Sequence, residues 1–421
     1  MTGNLLVSHK KLKAVPFDAR HFFFPRRAEP LSVPAERISV CVIIPTYMPS
    51  ALTLRLVRDL THWNPRSRII VVDDCTPEHS ESMRLFDEMA SASKQVSILR
   101  TSENTLKAGA LNFALRYIFE EEKLWPDAIL TLDDDVIIEA LTIRKLVAAL
   151  MSDDSLGAVC SRSGVYNKNT NILTRLQGLE YLGFNAVRLA DEGFYRGPLV
   201  MHGMLTAFRG AALHEVGGFT EGHLIEDYEV TTRLKASGWN VQSSLNARAW
   251  TVVPETLRHF WRQRTRWSYG GITVVTSATN KLSVFQDVLG HTIFLLTLAL
   301  VCALVLLRGG SGVPPYIAQI VIGLSVVQFV LWYVFQLWLM RMYEERDAYD
   351  WLIRLALIPE FLFSYIMTFA LIGSYLFHLF SKMAHPHSGR ATFGGRCIQR
   401  FSEAFRTIGY TEKQWGVRRH I

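Results

Sequence analysis

Ala128 to Val136 reads AILTLDDDV, a short run of apolar and neutral residues that ends in three consecutive aspartates. An apolar run of this length, bounded abruptly by charge, is the pattern of a strand buried on both faces of a sheet. Outward from it, ISVCVIIP (Ile38 to Pro45), RIIVV (Arg68 to Val72), Gln95 to Leu99 and Gly157 to Cys160 have the same character. Helical patterns lie between or after them at Ser50 to Trp63, Lys107 to Glu122 and Asp227 to Ser237. The alternation predicts an α/β layer fold built on buried parallel strands. In such sheets ligands bind beyond the carboxyl ends of the strands. The residues waiting there are acidic: Asp73 and Asp74 after RIIVV, and Asp133, Asp134 and Asp135 after AILTL.

Adjacent carboxylates repel and raise one another's pKa unless a positive charge meets them. A divalent cation answers this, and oxygen ligands favour Mg²⁺ or Mn²⁺, ions that also bind substrate phosphates. Along a strand Asp133 and Asp135 share a face and Asp134 opposes them. The expectation is therefore metal and diphosphate work for Asp133 and Asp135, with a solvated acidic turn as the plain alternative. Asp73 and Asp74 suit hydrogen bonds to a nucleoside base or ribose, though such pairs also cap helices and turns. Lys107 stands just before a helix, placed to meet phosphate or base, or simply to point into solvent. Glu226 and Asp227 open another helix, where the dipole favours ionised carboxylates whatever their use. In PETLRHFWRQRTRW, Gln263, Arg264, Arg266 and Trp267 combine cations suited to a departing diphosphate with an aromatic face on which a sugar ring can stack.

The 421 residues are 49% hydrophobic, but the apolar residues concentrate after Asp287. Val288 to Leu307 and Tyr316 to Met340 are long enough to cross a bilayer, joined by RGGSGVPP. A third segment, Leu355 to Phe380, carries Pro359 and Glu360 near its start. Three crossings would put the basic tail outside, against the positive-inside tendency; a bend at Pro359 with partial entry would not. Before these segments, a helix after Pro254 sets Leu257, Phe260 and Trp261 on one side and arginines elsewhere, the pattern of an interfacial helix. The expected division is a basic arm (1–37), a catalytic domain (38–253), an interfacial region (254–284), a membrane region of two or three helices (285–381) and a basic tail (382–421). The net charge of +7 lies in the arm, around Arg258 to Arg266 and in the tail, flanking the membrane segments. Anionic headgroups and substrate phosphates fit that distribution better than nucleic acid does. Five scattered cysteines with no CxxC pair indicate neither a zinc site nor a disulfide framework. The start of the chain has no signal-peptide pattern, so the catalytic part is expected in the cytoplasm. HFFFP (His21 to Pro25) would rest on the membrane surface or pack on the catalytic domain.

The order VVDD, KAGALN, LDDDV, IEDYE, QRTRW, from about Ser39 to Gly271, resembles the membrane-bound family 2 glycosyltransferases. These include the cellulose, chitin, hyaluronan and poly-N-acetylglucosamine synthases, and QRTRW fits their QxxRW signature in full. The resemblance implies a GT-A-like, Rossmann-like catalytic domain followed by interfacial and transmembrane helices. It further implies that Asp73 or Asp74 holds uridine, Lys107 contacts the nucleotide, and Asp133 with Asp135 forms the metal-diphosphate motif. Asp227, next to Glu226, would be the general base, and Gln263, Arg266 and Trp267 would line the acceptor end and the diphosphate. Ile225 stands where the family has Thr, which puts a hydroxyl contact to the acceptor in doubt.

HGMLTAFRGAALHEVGGF looks most like the poly-N-acetylglucosamine and chitin branch, while ATFGGR (Ala391 to Arg396) only faintly resembles the WGTR gating loop. The expected activity is inverting transfer from a UDP-sugar, UDP-N-acetylglucosamine or UDP-glucose, to extend a β-linked polysaccharide at a bacterial inner membrane. Accessory export subunits or a homo-oligomer would be partners beside the bilayer. The few membrane segments, with none ahead of the catalytic part, keep a second enzyme in view: a lipid glycosyltransferase making one transfer to a lipid-linked acceptor. A non-enzymatic scaffold would have lost a catalytic carboxylate, and Asp133, Asp135 and Asp227 are all present.

Overall fold

The computed structural model describes residues 38–191, 195–307, 315–383 and 393–411. The N-terminal arm with HFFFP, most of the RGGSGVPP turn and the first residues of ATFGGR lie outside the described residues.

The sheet has eight strands: β1 (Val40–Thr46), β2 (Arg68–Asp73), β3 (Val96–Arg100), β4 (Ala128–Leu132), β5 (Ile137–Ile138), β6 (Leu156–Val165), β7 (Leu205–Arg209) and β8 (Asn240–Thr251), in the order β3-β2-β1-β4-β7-β6-β8-β5. Both faces are covered, and alternate residues of one strand feed two cores. Val42 and Ile44 pack with Leu56, Val57 and Leu60 of α1 (Ala51–Trp63). Cys41 and Ile43 pack with Ala108, Leu111 and Ala114 of α3 (Leu106–Arg116). Two-sided burial is why these strands read as unbroken apolar runs. Ser50 closes a capping box with Thr53 at the start of α1, so the expected helix begins one residue after the serine. The helix expected to run to Glu122 changes at Tyr117–Glu121 into one π-helical turn.

The sheet is mixed, which corrects the parallel expectation. β3-β2-β1-β4 are parallel, but β7 enters between β4 and β6 antiparallel to both. β8 pairs parallel with β6, and β5 antiparallel with β8. The insertion brings the start of β7 to the end of β4, where Asp133 N donates to Met204 O at 3.1 Å. The remaining helices of this part are α2 (Ser80–Ala92), α4 (Thr142–Met151), α5 (Ile172–Ala190), α6 (Gly210–Glu215) and α7 (Glu226–Ala236).

After β8 come α8 (Leu257–Ser277), α9 (Phe285–Leu307), α10 (Pro315–Leu339), α11 (Ala348–Ala356), α12 (Ile358–Met383) and α13 (Phe393–Thr407). Three helical stretches, Lys281–Leu300, Gln319–Met342 and Ile358–Met383, are long and apolar enough to cross a membrane. The third expected segment breaks at Leu357, whose φ is 61°, so Pro359 falls in the first turn of α12, where a missing N–H costs nothing. The apolar side of α8 is covered rather than open. Phe260 is fully buried against Phe363 of α12, and Trp261 donates its indole N–H to Ile408 O at 2.7 Å, while Leu257 alone of the three is well exposed.

Candidate active site

A cavity of about 780 Å³ opens beyond the carboxyl ends of β1 and β4 and runs along α8 to the beginning of α9 and the middle of α12. Asp74, Lys107, Asp133, Asp135, Glu226, Asp227, Gln263, Arg266 and Trp267 all border it. Residues separated by more than 150 positions in sequence are thus gathered on one wall.

Lys107 is the electrostatic hub. Its ammonium lies 2.6 Å from Asp133 Oδ1 and 2.9 Å from Glu226 Oε1, and donates to Gly203 O at 3.1 Å. Burial works against its charge, but Asp133, Glu226 and Asp227 together hold its pKa well above the lysine range. Burial would raise the Glu226 carboxyl, yet Lys107 outweighs it and keeps Glu226 below its ordinary value. Asp133 goes the other way: burial raises it despite Lys107. Asp227 is pushed up to about 6, by burial first and by the neighbouring Glu226 charge second. Its Oδ2 accepts the Gly203 N–H at 2.7 Å and its Oδ1 the Tyr228 N–H at 2.8 Å. A side chain at 203 would meet Lys107 Nζ at 2.6 Å and Asp227 Oδ2 at 3.2 Å, so any larger residue there would displace the ammonium from Asp133 and Glu226.

At the end of β4 the three aspartates divide. Asp134 is buried and accepts from Thr46 Oγ1 at 2.6 Å, tying β4 to β1. Asp133 and Asp135 are half-buried, with Thr251 Oγ1 3.4 Å from Asp135 Oδ1. Among the described residues no three His, Cys, Asp or Glu side chains converge on one point as a complete metal cage. Two carboxylates one residue apart, open to a cavity, nevertheless fit Mg²⁺ or Mn²⁺, which fill their shells with water and substrate phosphates.

Two of the residues singled out in the sequence do not border the cavity. Asp73 does not border the cavity: it is 2% exposed, its Oδ1 caps Thr76 N at 2.8 Å, and Arg100 Nε lies 3.5 Å from its Oδ2. Asp74 does border it, held by Thr101 and Thr105 through one oxygen, Oδ1. Arg264 is fully buried beneath the cavity wall and ion-paired with Glu180, out of reach of a substrate. Gln263, Arg266 and Trp267 face the cavity instead, with Arg266 Nη1 donating to Leu224 O at 2.9 Å. Sequence reasoning passed over Tyr181, Phe184, Arg188 and His202, which also line the cavity. They sit on α5 and before β7 in stretches with no charge pattern to mark them. His202 is held neutral, its pKa lowered to about 3 by burial and then by Arg188.

The family model described as Glycosyl transferase family group 2 matches residues 128–380. Over 240 residues the chain is 29% identical to the probable glycosyltransferase YdaM of Bacillus subtilis (strain 168), covering 56% of each. It is 26% identical over 227 residues to the poly-beta-1,6-N-acetyl-D-glucosamine synthase of Staphylococcus epidermidis, covering 52% of this chain and 53% of the relative. The chain spans about half the length of the curated relatives it matches. Among solved structures, the mannosyltransferase PcManGT of Pyrobaculum calidifontis, in complex with GDP-Man and Mn²⁺, superimposes with a TM-score of 0.51 at 20% identity. That match covers 76% of this chain and 90% of that one, and it shares the GT-A fold. With a family match across more than half its length, the chain belongs to glycosyl transferase family group 2.

Proposed function

We propose that the chain is an inverting glycosyltransferase that uses a UDP-sugar, UDP-N-acetylglucosamine or UDP-glucose, to extend a β-linked polysaccharide at the membrane. The observation that carries this reading is the convergence of Asp227, Asp133, Asp135, Arg266 and Trp267 on one cavity, with the Asp227 carboxyl pushed up to about 6 by burial and by Glu226. A base of that pKa takes a proton at neutral pH without being consumed by it. Asp227 accepts the proton of the acceptor hydroxyl, whose oxygen bonds to the anomeric carbon as the bond from that carbon to the diphosphate breaks. UDP leaves with the electron pair, and one displacement turns an α-linked donor into a β-glycoside. Asp74 holds the uridine and Lys107 the nucleotide, Arg266 faces the leaving diphosphate, and Trp267 offers its ring to the acceptor sugar. Mg²⁺ or Mn²⁺ on Asp133 and Asp135 would neutralise charge on the diphosphate.

The synthase name of the Staphylococcus relative favours a polymer of N-acetylglucosamine, and the GDP-Man and Mn²⁺ of the Pyrobaculum enzyme favour a metal-bound nucleotide sugar. In this reading 38–253 is the catalytic unit on the cytoplasmic face of a bacterial inner membrane, and 285–381 is the membrane region. A second reading, one transfer to a lipid-linked acceptor, draws on the reach of the cavity to Met367 and Leu371 of an apolar helix. The test is incubation of the purified chain with a panel of UDP-sugars and Mg²⁺ or Mn²⁺, following UDP release and product length. A ladder of long products supports the first reading; a single-sugar product that depends on added lipid supports the second. No UDP release with any donor removes both.

A further inference from the structure

Arg264 belongs to the QRTRW stretch yet is fully buried, and the way it is buried is specific. Its guanidinium carbon lies 4.1 Å from the ring centroid of Trp267 and 4.7 Å from that of Phe260. These are positions i+3 and i−4 on one face of α8, so the cation is layered between two rings of its own helix. Nη2 pairs with Glu180 Oε2 of α5, and Nη1 donates to Gln263 Oε1 at 3.2 Å. One turn further along α5, Phe184 meets Trp267 edge-on at 6.4 Å. Glu180 and Phe184 therefore grip α8 at two points, the carboxylate through the guanidinium and the ring on the indole directly.

A buried ion pair is an expensive way to fill space. Apolar residues of similar volume often stabilise as well or better, and here the Arg264 Nε is left buried with no hydrogen-bond partner. What an apolar filler would not supply is a flat, charged plate fixed in orientation by a carboxylate and lying against the indole that borders the cavity. We propose that Glu180 is a positioning residue: through Arg264 it fixes the plane of the Trp267 ring on which the acceptor sugar stacks. This rests on the proposed role of Trp267 in acceptor binding and adds a residue outside the recognised motifs. Glu180 touches no substrate in this scheme.

Removing Glu180 alone would strand a buried cation, so the deciding variant replaces the pair together, Glu180→Leu with Arg264→Met, which keeps the volume and removes both charges. Two readouts are taken. The first is kinetics with a β-linked N-acetylglucosamine tetramer as acceptor: KM for the tetramer rises about tenfold, while KM for the UDP-sugar and its acceptor-free hydrolysis stay as in the parent. The second needs no turnover: the fluorescence of each protein minus that of its Trp267→Phe counterpart isolates Trp267, and its quenching by acrylamide increases in the paired variant. An unchanged tetramer KM, or an unchanged Trp267 difference spectrum, overturns the proposal. If the parent chain transfers no sugar, the functional reading fails by itself, and the Trp267 spectrum still decides whether Glu180 and Arg264 hold the ring.

Discussion

At the scale of single residues the site works by opposed fields. Lys107 stabilises the charges of Asp133 and Glu226, and the Glu226 charge in turn raises Asp227. In the proposed mechanism the base acts only when ionised. Transfer is therefore expected to fall about tenfold per pH unit below a pH of about 6 and to level off above it, measured as kcat/KM across a pH series. The same shift has a cost in stability. A carboxyl whose folded pKa exceeds its unfolded one holds its proton more tightly in the folded chain, so ionising it destabilises the fold as pH rises through that interval. Asp227→Asn should therefore abolish sugar transfer, leave UDP binding by calorimetry nearly intact, and raise the melting temperature at pH 8 but not at pH 4. Retained turnover would remove Asp227 from the role of base. β4 ends at Leu132 and all three aspartates that follow border the cavity, so strand alternation does not separate them there; Asp134 differs in being buried and bonded to Thr46. For Asp73 and Arg264 residue type and spacing suggested a ligand; Asp73 instead makes the local turn cap to Thr76 that such a pair also offers and meets Arg100, while Arg264 is held by a partner distant in sequence, Glu180.

At the scale of elements, α11 is tied to α5 by charge. Asp350 is fully buried and receives Lys168 at 2.8 Å and Arg175 at 2.9 Å, while Asp347 caps α11 and pairs with Arg175 as well. The two cations are themselves nearly buried, so solvent screens little of the interaction. Asp350→Asn leaves them undercompensated and is expected to cost about 3 kcal/mol, seen as a lower melting temperature and faster proteolysis between α10 and α11. Nothing in the sequence announced this link, because its partners lie more than 170 positions apart and α11 matches no expected element, only its last two residues falling in the apolar segment expected from Leu355. The elements that were legible were those with one dominant local signal: two-sided apolar strands such as β1, β2 and β4, and the capped helix α1. β8 was missed because the strand reading rests on apolar runs alone, although NVQSSLNARAWT is polar on alternate positions as a half-covered strand is, and β7 because its five residues follow no strand signal. Its antiparallel insertion is a long-range choice made by β4 and β6.

At the scale of the whole molecule the open question is the path of the chain through the bilayer, and α12 decides it. By length and composition α12 could cross. Its contacts describe something else. Phe363 meets Phe260 at 5.1 Å and Phe377 meets Tyr269 at 4.9 Å, so α12 runs alongside and parallel to α8, the helix that lines the cavity. It touches α9 through Tyr375 at His291 and Phe294, near where α9 begins. It touches α10 through Phe361 at Phe329, near the middle of α10. Its far end, at Phe377 and Phe380, meets Phe401, Phe405 and Tyr410, and Tyr410 belongs to the segment whose Ile408 and Gly409 carbonyls bind α8. We therefore expect α12, which runs along α8 and meets at its far end the segment that binds α8, to lie along the membrane surface, leaving α9 and α10 as the two crossings. That arrangement would also meet the positive-inside expectation for the basic tail. Phosphatase fusions, active only outside the cytoplasm, are expected to be active after Gly309 and inactive after both Met342 and Thr411. Activity after Thr411 would mean that α12 crosses and that its packing along α8 does not survive in the bilayer.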